Sequence, residues 1–594
     1  MKATFPFVWL ALFTLCTLAE VRFVSKTGSS APPYTSWATA SDSIQKCINV
    51  CNDGDTVVVA NGVYKESLVI NAAITLLGSS MDSCVIDGTG LGGDGLIEFF
   101  NHGTLMGFSI IGKGISDGIV NTSIANLEHN MNISQVKIIN SNRGIFIGSS
   151  SGIIDGVIIT NVGSGVETFC IYDTCKPKIT NCLILTKKNN GGGDYGIYLD
   201  YGGGQPVITN NIIVALGFGY GGIDNGPLKK KIITNNLVAG FNGNINAGGV
   251  KDTAFIVNNI CSDYKIGFTP YASIEGVSNK TVLLNNIVVN NDIGVEVFAT
   301  PFKSDYNLYW NNQVNATNGL VFGANDVFAD PMFVKDTVAR SFNYDYHLQK
   351  YSPAIDAGDP TILDKDGSRS DIGMYGGPLG ESYTYQDLAP KPPRNLTASV
   401  NNGNISLKWL KNTEADFSYY KVYRDVSEDF IYDSTRIIAK ITDTTYTEPI
   451  PQQGKIVYYK VTAWDSTTHQ SPASEEILVN VTNVETPQLM ANDYKLFQNY
   501  PNPFNPSTMI SYRIKERGYV KLVVHDIKGE LVKVLVNQEQ EAGYYEQTFS
   551  AEGITQPDLG LGNIASGVYL FSLTVIGESG IPVFTAMKKS ILVK

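Results

Sequence analysis

The chain is poor in charge. Lys, Arg, Asp and Glu make up 17% of its 594 residues, against about 25% in an ordinary globular domain. Positive charge is the scarcer sign: 44 Lys and Arg face 56 Asp and Glu, a net charge of −12. That balance argues against nucleic acid as the main partner. After the opening residues no apolar run reaches the roughly 20 residues of a bilayer span, so the mature chain is expected to lack a transmembrane segment. Cysteine is confined to the first half and forms no pair of CxxC motifs, which excludes the common zinc frameworks. The odd set Cys47, Cys51, Cys84, Cys170, Cys175, Cys182 and Cys261 reads as buried small apolar residues. Cys170–Cys175 is the one pair to test for a disulfide. His102, His129, His347, His469 and His525 are scattered, and none has metal-ligand spacing.

What is present is glycine, 58 residues, and hydrophobic residues at 43%, enough for real cores. Lys2, the apolar run from Phe5 to Leu18 and the small residues Thr17 and Ala19 read as a secretory signal over 1–19. From residue 80 to 300 the chain repeats itself. Ile179-Thr180-Asn181-Cys182, Ile208-Thr209-Asn210-Asn211, Ile233-Thr234-Asn235-Asn236, Val257-Asn258-Asn259 and Leu284-Asn285-Asn286 place their first Asn at 181, 210, 235, 258 and 285, with differences of 29, 25, 23 and 27. A second element, Gly144-Ile145, Gly196-Ile197, Gly222-Ile223, Gly249-Val250 and Gly294-Val295, falls between them. Each repeat thus holds two or three short strands bounded by Asn or Gly turns. No helix of about ten residues fits, which excludes alternating strand–helix folds.

A coil satisfies this pattern. Each turn of about 25 residues lays its strands beside those of the turn before, about 4.8 Å away, in parallel sheets. Inward Ile, Val and Leu stack into one column. Asn181, Asn210, Asn235, Asn258 and Asn285 are expected to hydrogen-bond along the stack as structural residues. A capping helix at about 39–52, with Ile44, Cys47, Ile48 and Cys51 on one face, would close the open end.

Phe23-Val24-Ser25, Asp53-Gly54-Asp55-Thr56-Val57 and Gly62-Val63-Tyr64 resemble the first turns of secreted right-handed parallel β-helix proteins of the pectate-lyase-like superfamily. Ser352-Pro353-Ala354-Ile355-Asp356-Ala357-Gly358 and Asp371-Ile372-Gly373-Met374-Tyr375-Gly376 resemble the closing segment of that group. The resemblance spans about 22–380. It implies an all-β chain whose residues 20–385 form a right-handed parallel β-helix. It is specific for fold and weak for activity.

Two small β-sandwich domains are expected to follow. Beyond the stiff linker Pro390-Lys391-Pro392-Pro393, the alternating Tyr420-Lys421-Val422-Tyr423 and Tyr459-Lys460-Val461-Thr462 and an early Trp409 resemble a fibronectin type III domain at 390–483. No site is read in it. Leu496-Phe497-Gln498-Asn499-Tyr500-Pro501-Asn502-Pro503-Phe504-Asn505-Pro506, with a basic end at Lys588-Lys589, resembles the C-terminal sorting domain of the type IX secretion system at 494–594. That resemblance implies export by the outer-membrane translocon, and a protein secreted from, or held on the outer surface of, a two-membrane bacterium.

A parallel coil stacks matching positions into a long outer groove suited to an extended polymer. Asp173, Asp200, Asp224 and Asp252 follow the Gly-Ile element at intervals of 27, 24 and 28. Stacked carboxylates about one strand spacing apart must share protons or bind a cation. Asp173, Asp200 and Asp224 are therefore the candidate ligands for Ca²⁺. Lys251, beside Asp252, or Lys265 is the candidate base for β-elimination on a uronic acid. Asp224 and Asp252 are alternatively the acid and base of glycoside hydrolysis. Tyr198, Tyr201, Tyr220 and Tyr271, with Tyr195, would stack on sugar rings. The Gly-His-Gly and paired Asp-Asp motifs of polygalacturonase-like hydrolases are not matched. The alternative reading is solvated Asp and Lys at turns. Asp364, Asp366 and Gly367 resemble the start of a calcium loop, but Tyr375 stands where its closing Glu belongs. The expected function is binding, with or without cleavage, of an extracellular polysaccharide. The alternative is a non-catalytic adhesion protein that uses the coil as a stalk or glycan-binding face.

Overall fold

The computed structural model describes residues 19–593 except 94, 113, 115–116, 122–129, 149–150, 170–174, 188–193, 201–203, 226–229, 247–252, 264–265, 270–279, 298–302, 318–319, 338–343, 452–455, 481–492, 500–501, 552–564 and 578–579. Two compact units divide the chain, one of residues 1–388 with 413–415 and one of 389–412 with 416–594. Among the described residues the one α-helix is Ile44–Ile48. It is shorter than the segment expected. Ser43 caps its start, and Glu66 accepts from Ser43 Oγ and from the amides of Ile44 and Gln45. Ile44, Cys47 and Ile48 are buried in the core of the first turns. No helix among the described residues is long and apolar enough to cross a membrane.

The first unit is a parallel β-solenoid. Three ladders run along it, and every pairing within them is parallel. The first ladder includes Lys178–Thr180, Val207–Thr209, Lys230–Thr234, Thr253–Val257 and Lys280–Leu284. The second includes Leu183–Thr186, the first residues of Ile212–Asn225 and of Leu237–Asn246, then Ile260–Ser262 and Ile287–Val289. The third takes Arg143–Gly148, Ser164–Phe169, Tyr195–Asp200 and the far ends of the same two long strands. Alternation at period two sends Ile154, Ile179, Ile208, Ile233, Ile256 and Leu283 inward on the first ladder, each at most 1% exposed.

The Asn pairs form the corner between the first and second ladders, and their two residues do different work. The first Asn is in the left-handed region: φ is 54° at Asn181, 57° at Asn210, 56° at Asn235, 55° at Asn258 and 54° at Asn285. Asn adopts that conformation at lower cost than most residues. The second Asn carries the stack. Asn211 Nδ2 donates to Asn236 Oδ1 at 2.9 Å, Asn236 to Asn259 at 3.0 Å, Asn259 to Asn286 at 3.0 Å and Asn286 to Asn307 at 2.9 Å. The expectation that the first Asn of each pair makes the column is thus corrected by one residue. A left-handed residue turns its side chain out of the corner, and only the residue after it points inward. Cys182 starts the column by donating its amide to Asn211 Oδ1. Asp326, accepting from Asn307, ends it.

The outward first Asn has its own use. Asn235 Nδ2 donates to the carbonyls of Met374 and Gly376, Asn258 Nδ2 to that of Asp371, and Asn285 Oδ1 accepts from the Asp359 amide. These bonds dock the closing segment on the solenoid's flank. Phe333, Tyr346, Leu348, Ala354 and Ile372 cover Leu237, Ala239, Ile260, Ile287, Val289 and Leu308 of the second ladder in a separate apolar core.

Asp371 is buried at the centre of this segment. It accepts from the Asp356 amide and the Tyr385 hydroxyl. Burial, with the neighbouring charges of Asp364 and Asp356, pushes its carboxyl from an ordinary 3.8 up to about 6. The folded chain therefore keeps a proton there that the unfolded chain has released. Stability from this group is present below pH 3.8 and is lost as pH rises towards 6. The loss is on the order of 3 kcal/mol at ~1.4 kcal/mol per unit. Urea unfolding at pH 4 and pH 7 should show a fall that Asp371→Asn flattens. An unchanged pH slope in the variant would rule this out. In the stretch that resembles a calcium loop, Asp364 accepts the amides of Asp371 and Gly377, and Asp366 accepts from Ser368, so both carboxylates serve turns.

The second unit holds two antiparallel sandwiches. The first packs the three-stranded sheet of Thr397–Asn401, Asn404–Lys408 and Thr445–Pro449 against the four-stranded sheet of Ile437–Ile441, Phe417–Asp425, Ile456–Asp465 and Ile477–Asn480, around Trp409, Tyr420, Val422 and Tyr459. The second packs Lys495–Leu496, Ser507–Ile514 and Gly543–Ser550 against Leu531–Gln540, Gly518–Asp526, Gly567–Ile576 and Pro582–Leu592. Its Asn-Pro-rich string is held to the last strand: Asn499 Nδ2 donates to Ser590 Oγ, and the Phe504 amide donates to the Ile591 carbonyl.

Candidate functional site

Titratable and aromatic side chains gather on the outer face of the third ladder. The position after each inward aliphatic residue points out, and register aligns it from turn to turn. Phe146 pairs with Glu167, Glu167 with Tyr198, and Tyr198 with Asp224. Asn246 follows, its Nδ2 donating to Asp224 Oδ1 at 2.9 Å. The neighbouring outward column holds Arg143, Ser164 and Tyr195. Stacked glycines let this ladder lie tight against the second one: Gly144, Gly165, Gly196 and Gly222 each face the carbonyl of the next turn and a branched aliphatic side chain.

The ionic end of the strip is bidentate. Arg143 Nε and Nη2 bond Asp117 at 2.9 and 2.5 Å, and Nη1 bonds Glu167 at 3.0 Å. The Asp117 bonds, with Glu167 behind them, hold the guanidinium above even its ordinary range. The guanidinium also lies 4.3 Å from the centre of the Phe146 ring. The aromatic end is a cluster. Tyr195 sits 4.5 Å from Tyr198 and 5.5 Å from Tyr220, ring centre to ring centre. Tyr220 is 58% exposed. Burial, then the charge of Asp224, pushes the Tyr195 phenol up, so it is a neutral donor at physiological pH.

Sequence reasoning missed Lys231. It lies on the first ladder, two residues before inward Ile233, and alternation turns it inward to 0% exposure. Burial lowers its ammonium to about 7, and Asp224 opposes that shift. Counting back by two from Ile233 would have found it. Arg143 and Glu167 were also missed, because their partners lie one turn away and only the register reveals them.

The structure brings Tyr198, Tyr220 and Asp224 together, with Tyr195. It does not align the acidic row as expected. Asp224 is level with Tyr198, whereas Asp200 is level with Phe169, two positions further along. The reason is that spacing counts residues and not loop length. The loop lengths between turns differ, so similar intervals fall on unequal rungs. The Gly-Ile repeat shifts likewise: Ile245, after Asn244, pairs with Ile223, so Asn244 takes the place assigned to Gly249. Asp173, Tyr201, Lys251, Asp252, Lys265 and Tyr271 lie outside the described residues, as do Gly249, Val250 and Cys170. Of the three proposed Ca²⁺ ligands only Asp224 has a described side chain, and its Oδ1 already holds Asn246.

No family model matches the chain. It is 32% identical over 108 residues to an amylopullulanase of Thermoanaerobacter thermohydrosulfuricus and 29% identical over 107 residues to one of Thermoanaerobacterium thermosulfurigenes. Those stretches are 18% of this chain and only 7% and 6% of the two amylopullulanases, so it spans a small fraction of the length of these relatives. Among solved structures, a fibronectin III-like protein from Clostridium thermocellum is 26% identical over 17% of this chain and 100% of that one, with a TM-score of 0.14. The central fibronectin III array of RIM-binding protein is 12% identical over 34% of this chain and 70% of that one, with a TM-score of 0.18.

Proposed function

We propose that the protein binds an extended polysaccharide along the outer face of the third ladder. The observation that carries this is the cluster of Tyr195, Tyr198 and Tyr220 on a straight parallel face, with hydrogen-bonding groups on both sides, Arg143–Glu167 and Asp224–Asn246. Aromatic rings take the apolar faces of pyranoses, and the flanking polar pairs take hydroxyls. The partial similarity to amylopullulanases supports a saccharide ligand. Export by type IX secretion and display outside the cell belong to the same proposal. They rest on the Asn-Pro-rich string and basic end at 494–594.

Glycan binding by the full chain, measured by calorimetry over neutral and uronic-acid oligomers, tests this reading. Tyr220→Ala should weaken binding roughly threefold to tenfold, the effect of an aromatic contact of about 0.5–1.5 kcal/mol, without lowering the melting temperature. Unchanged affinity in that variant would sink the proposal. Hydrolysis is the second reading. Glu167 and Asp224 stand two rungs apart in one column, roughly 9–10 Å between backbones, near the separation of an inverting acid–base pair. Reducing ends released by the wild type and lost in Asp224→Asn would support it. Binding without release would leave the protein a glycan adhesin.

A further inference from the structure

The four-stranded sheet of the first sandwich turns one face into the core and the other outward. On the outward face Tyr419 pairs directly with Trp464, and Lys421 pairs directly with Lys440 on the adjacent strand. The Tyr419 and Trp464 rings lie 5.7 Å apart, within 10° of parallel. The Trp464 indole N–H donates to Thr462 Oγ1 at 3.0 Å, which fixes the ring. Lys421 Nζ sits 3.7 Å from the Trp464 ring centre, and Lys440 Nζ sits 3.8 Å from that of Tyr419. Like charges directly opposite each other on adjacent strands repel. Neither ammonium has a carboxylate partner among the described residues, although the chain carries 12 more acidic than basic groups. Burial and the Lys440 charge both pull the Lys421 ammonium down, as expected of a positive pair without a counter-ion.

An anion between the two ammoniums removes the repulsion, and two nearly parallel, stacked rings offer apolar faces beside it. The combination of a negative group and a flat apolar ring face is that of a uronic-acid sugar. We propose that this face, formed by Tyr419, Lys421, Lys440 and Trp464, is a second binding site, and that its ligand is an acidic polysaccharide. The uronate carboxylate takes hydrogen bonds from both ammoniums. Its pyranose ring replaces them over the aromatic faces, exchanging a weak cation–π contact for charge-assisted hydrogen bonds. This site is built from residues of the first sandwich alone, independently of the solenoid strip.

The test uses the full chain and an oligogalacturonate as probe, at low salt. Titration should quench a tryptophan signal that the Trp464→Phe variant lacks. The double variant Lys421→Gln/Lys440→Gln should bind at least tenfold more weakly, and Lys421→Arg/Lys440→Arg should stay within about threefold of wild type. A neutral malto-oligosaccharide should produce no Trp464 quench. The proposal is overturned if the double Gln variant binds as wild type does, or if the quench survives in Trp464→Phe. It is also overturned if the neutral oligomer quenches Trp464 equally, or if DNA or anionic phospholipid vesicles displace the probe at lower concentration than the oligomer itself. Binding lost in Tyr220→Ala but kept in the double Gln variant would place the saccharide on the solenoid alone and would equally overturn it. Melting curves of each variant, matched to wild type, show that lost binding is not lost folding.

Discussion

Gly196→Val should leave the solenoid unable to fold. A Cβ built on Gly196 would stand 2.2 Å from Ile213 Cγ2 and 2.5 Å from the Gly222 carbonyl oxygen. Neither neighbour can give way. Ile213 is in the apolar interior at 0% exposure, and the Gly222 carbonyl belongs to the next turn's backbone. The problem also repeats: a Cβ on Gly165 would stand 2.3 Å from Ile184 Cγ2, and one on Gly222 2.3 Å from Val238 Cγ1. A shift that made room at one turn would close it at the next. Ordinary overpacking costs about 1–3 kcal/mol. Alanine at 196 should cost at least that, and valine more than the ~5–15 kcal/mol of a typical domain can spare once two turns separate. Circular dichroism and limited proteolysis of purified full-length variants are the measurements. A Gly196→Val protein that melts like wild type would mean that the third ladder does not lie against the second as described.

Asn259→Ala should be the next most damaging change. The Asn259 side chain accepts from the Asn236 amide and from Asn236 Nδ2, and donates to the carbonyls of Ile233 and Val257 and to Asn286 Oδ1. All of these bonds are buried except the half-buried one to Val257. Losing the bridge leaves several buried polar groups unpaired at about 1–3 kcal/mol each, so a loss of roughly 3–6 kcal/mol is expected. Asn259→Asp should fail differently. A carboxylate can still accept from Asn236 but cannot donate to Ile233 or Asn286, and a buried carboxylate strongly favours its protonated form. That variant should therefore lose stability as pH rises, whereas Asn259→Ala should not. Denaturant titrations at two pH values separate the two cases. A loss below 1 kcal/mol for the Ala variant would mean that the column is not continuous.

The same column shows where reading the sequence stops. The recurrence of Asn pairs was legible, and so was the need for their stacking. Which Asn stacks was not, because the answer depends on the left-handed φ of the first. Asp224 and Tyr198 were legible as outward residues near a Gly-Ile element. Their partnership across one rung was not, because the loops between turns vary in length. Lys231 was hidden inside a run of three lysines that composition alone assigns to solvent. The docking of 359–376 onto Asn235, Asn258 and Asn285 joins residues up to 141 apart in sequence, and nothing local announces it.

The sequence by itself determined that the chain winds into a coil of parallel strands. An alternation of period two inside a repeat of about two dozen residues has no other way to bury its aliphatic faces. Only the tertiary structure decided which residues share a rung, and so which carboxylate, phenol or amide acts together with which. Rung assignment is set by the lengths of the loops and by left-handed corners. A displacement of one residue there turns a side chain from the interior to the surface.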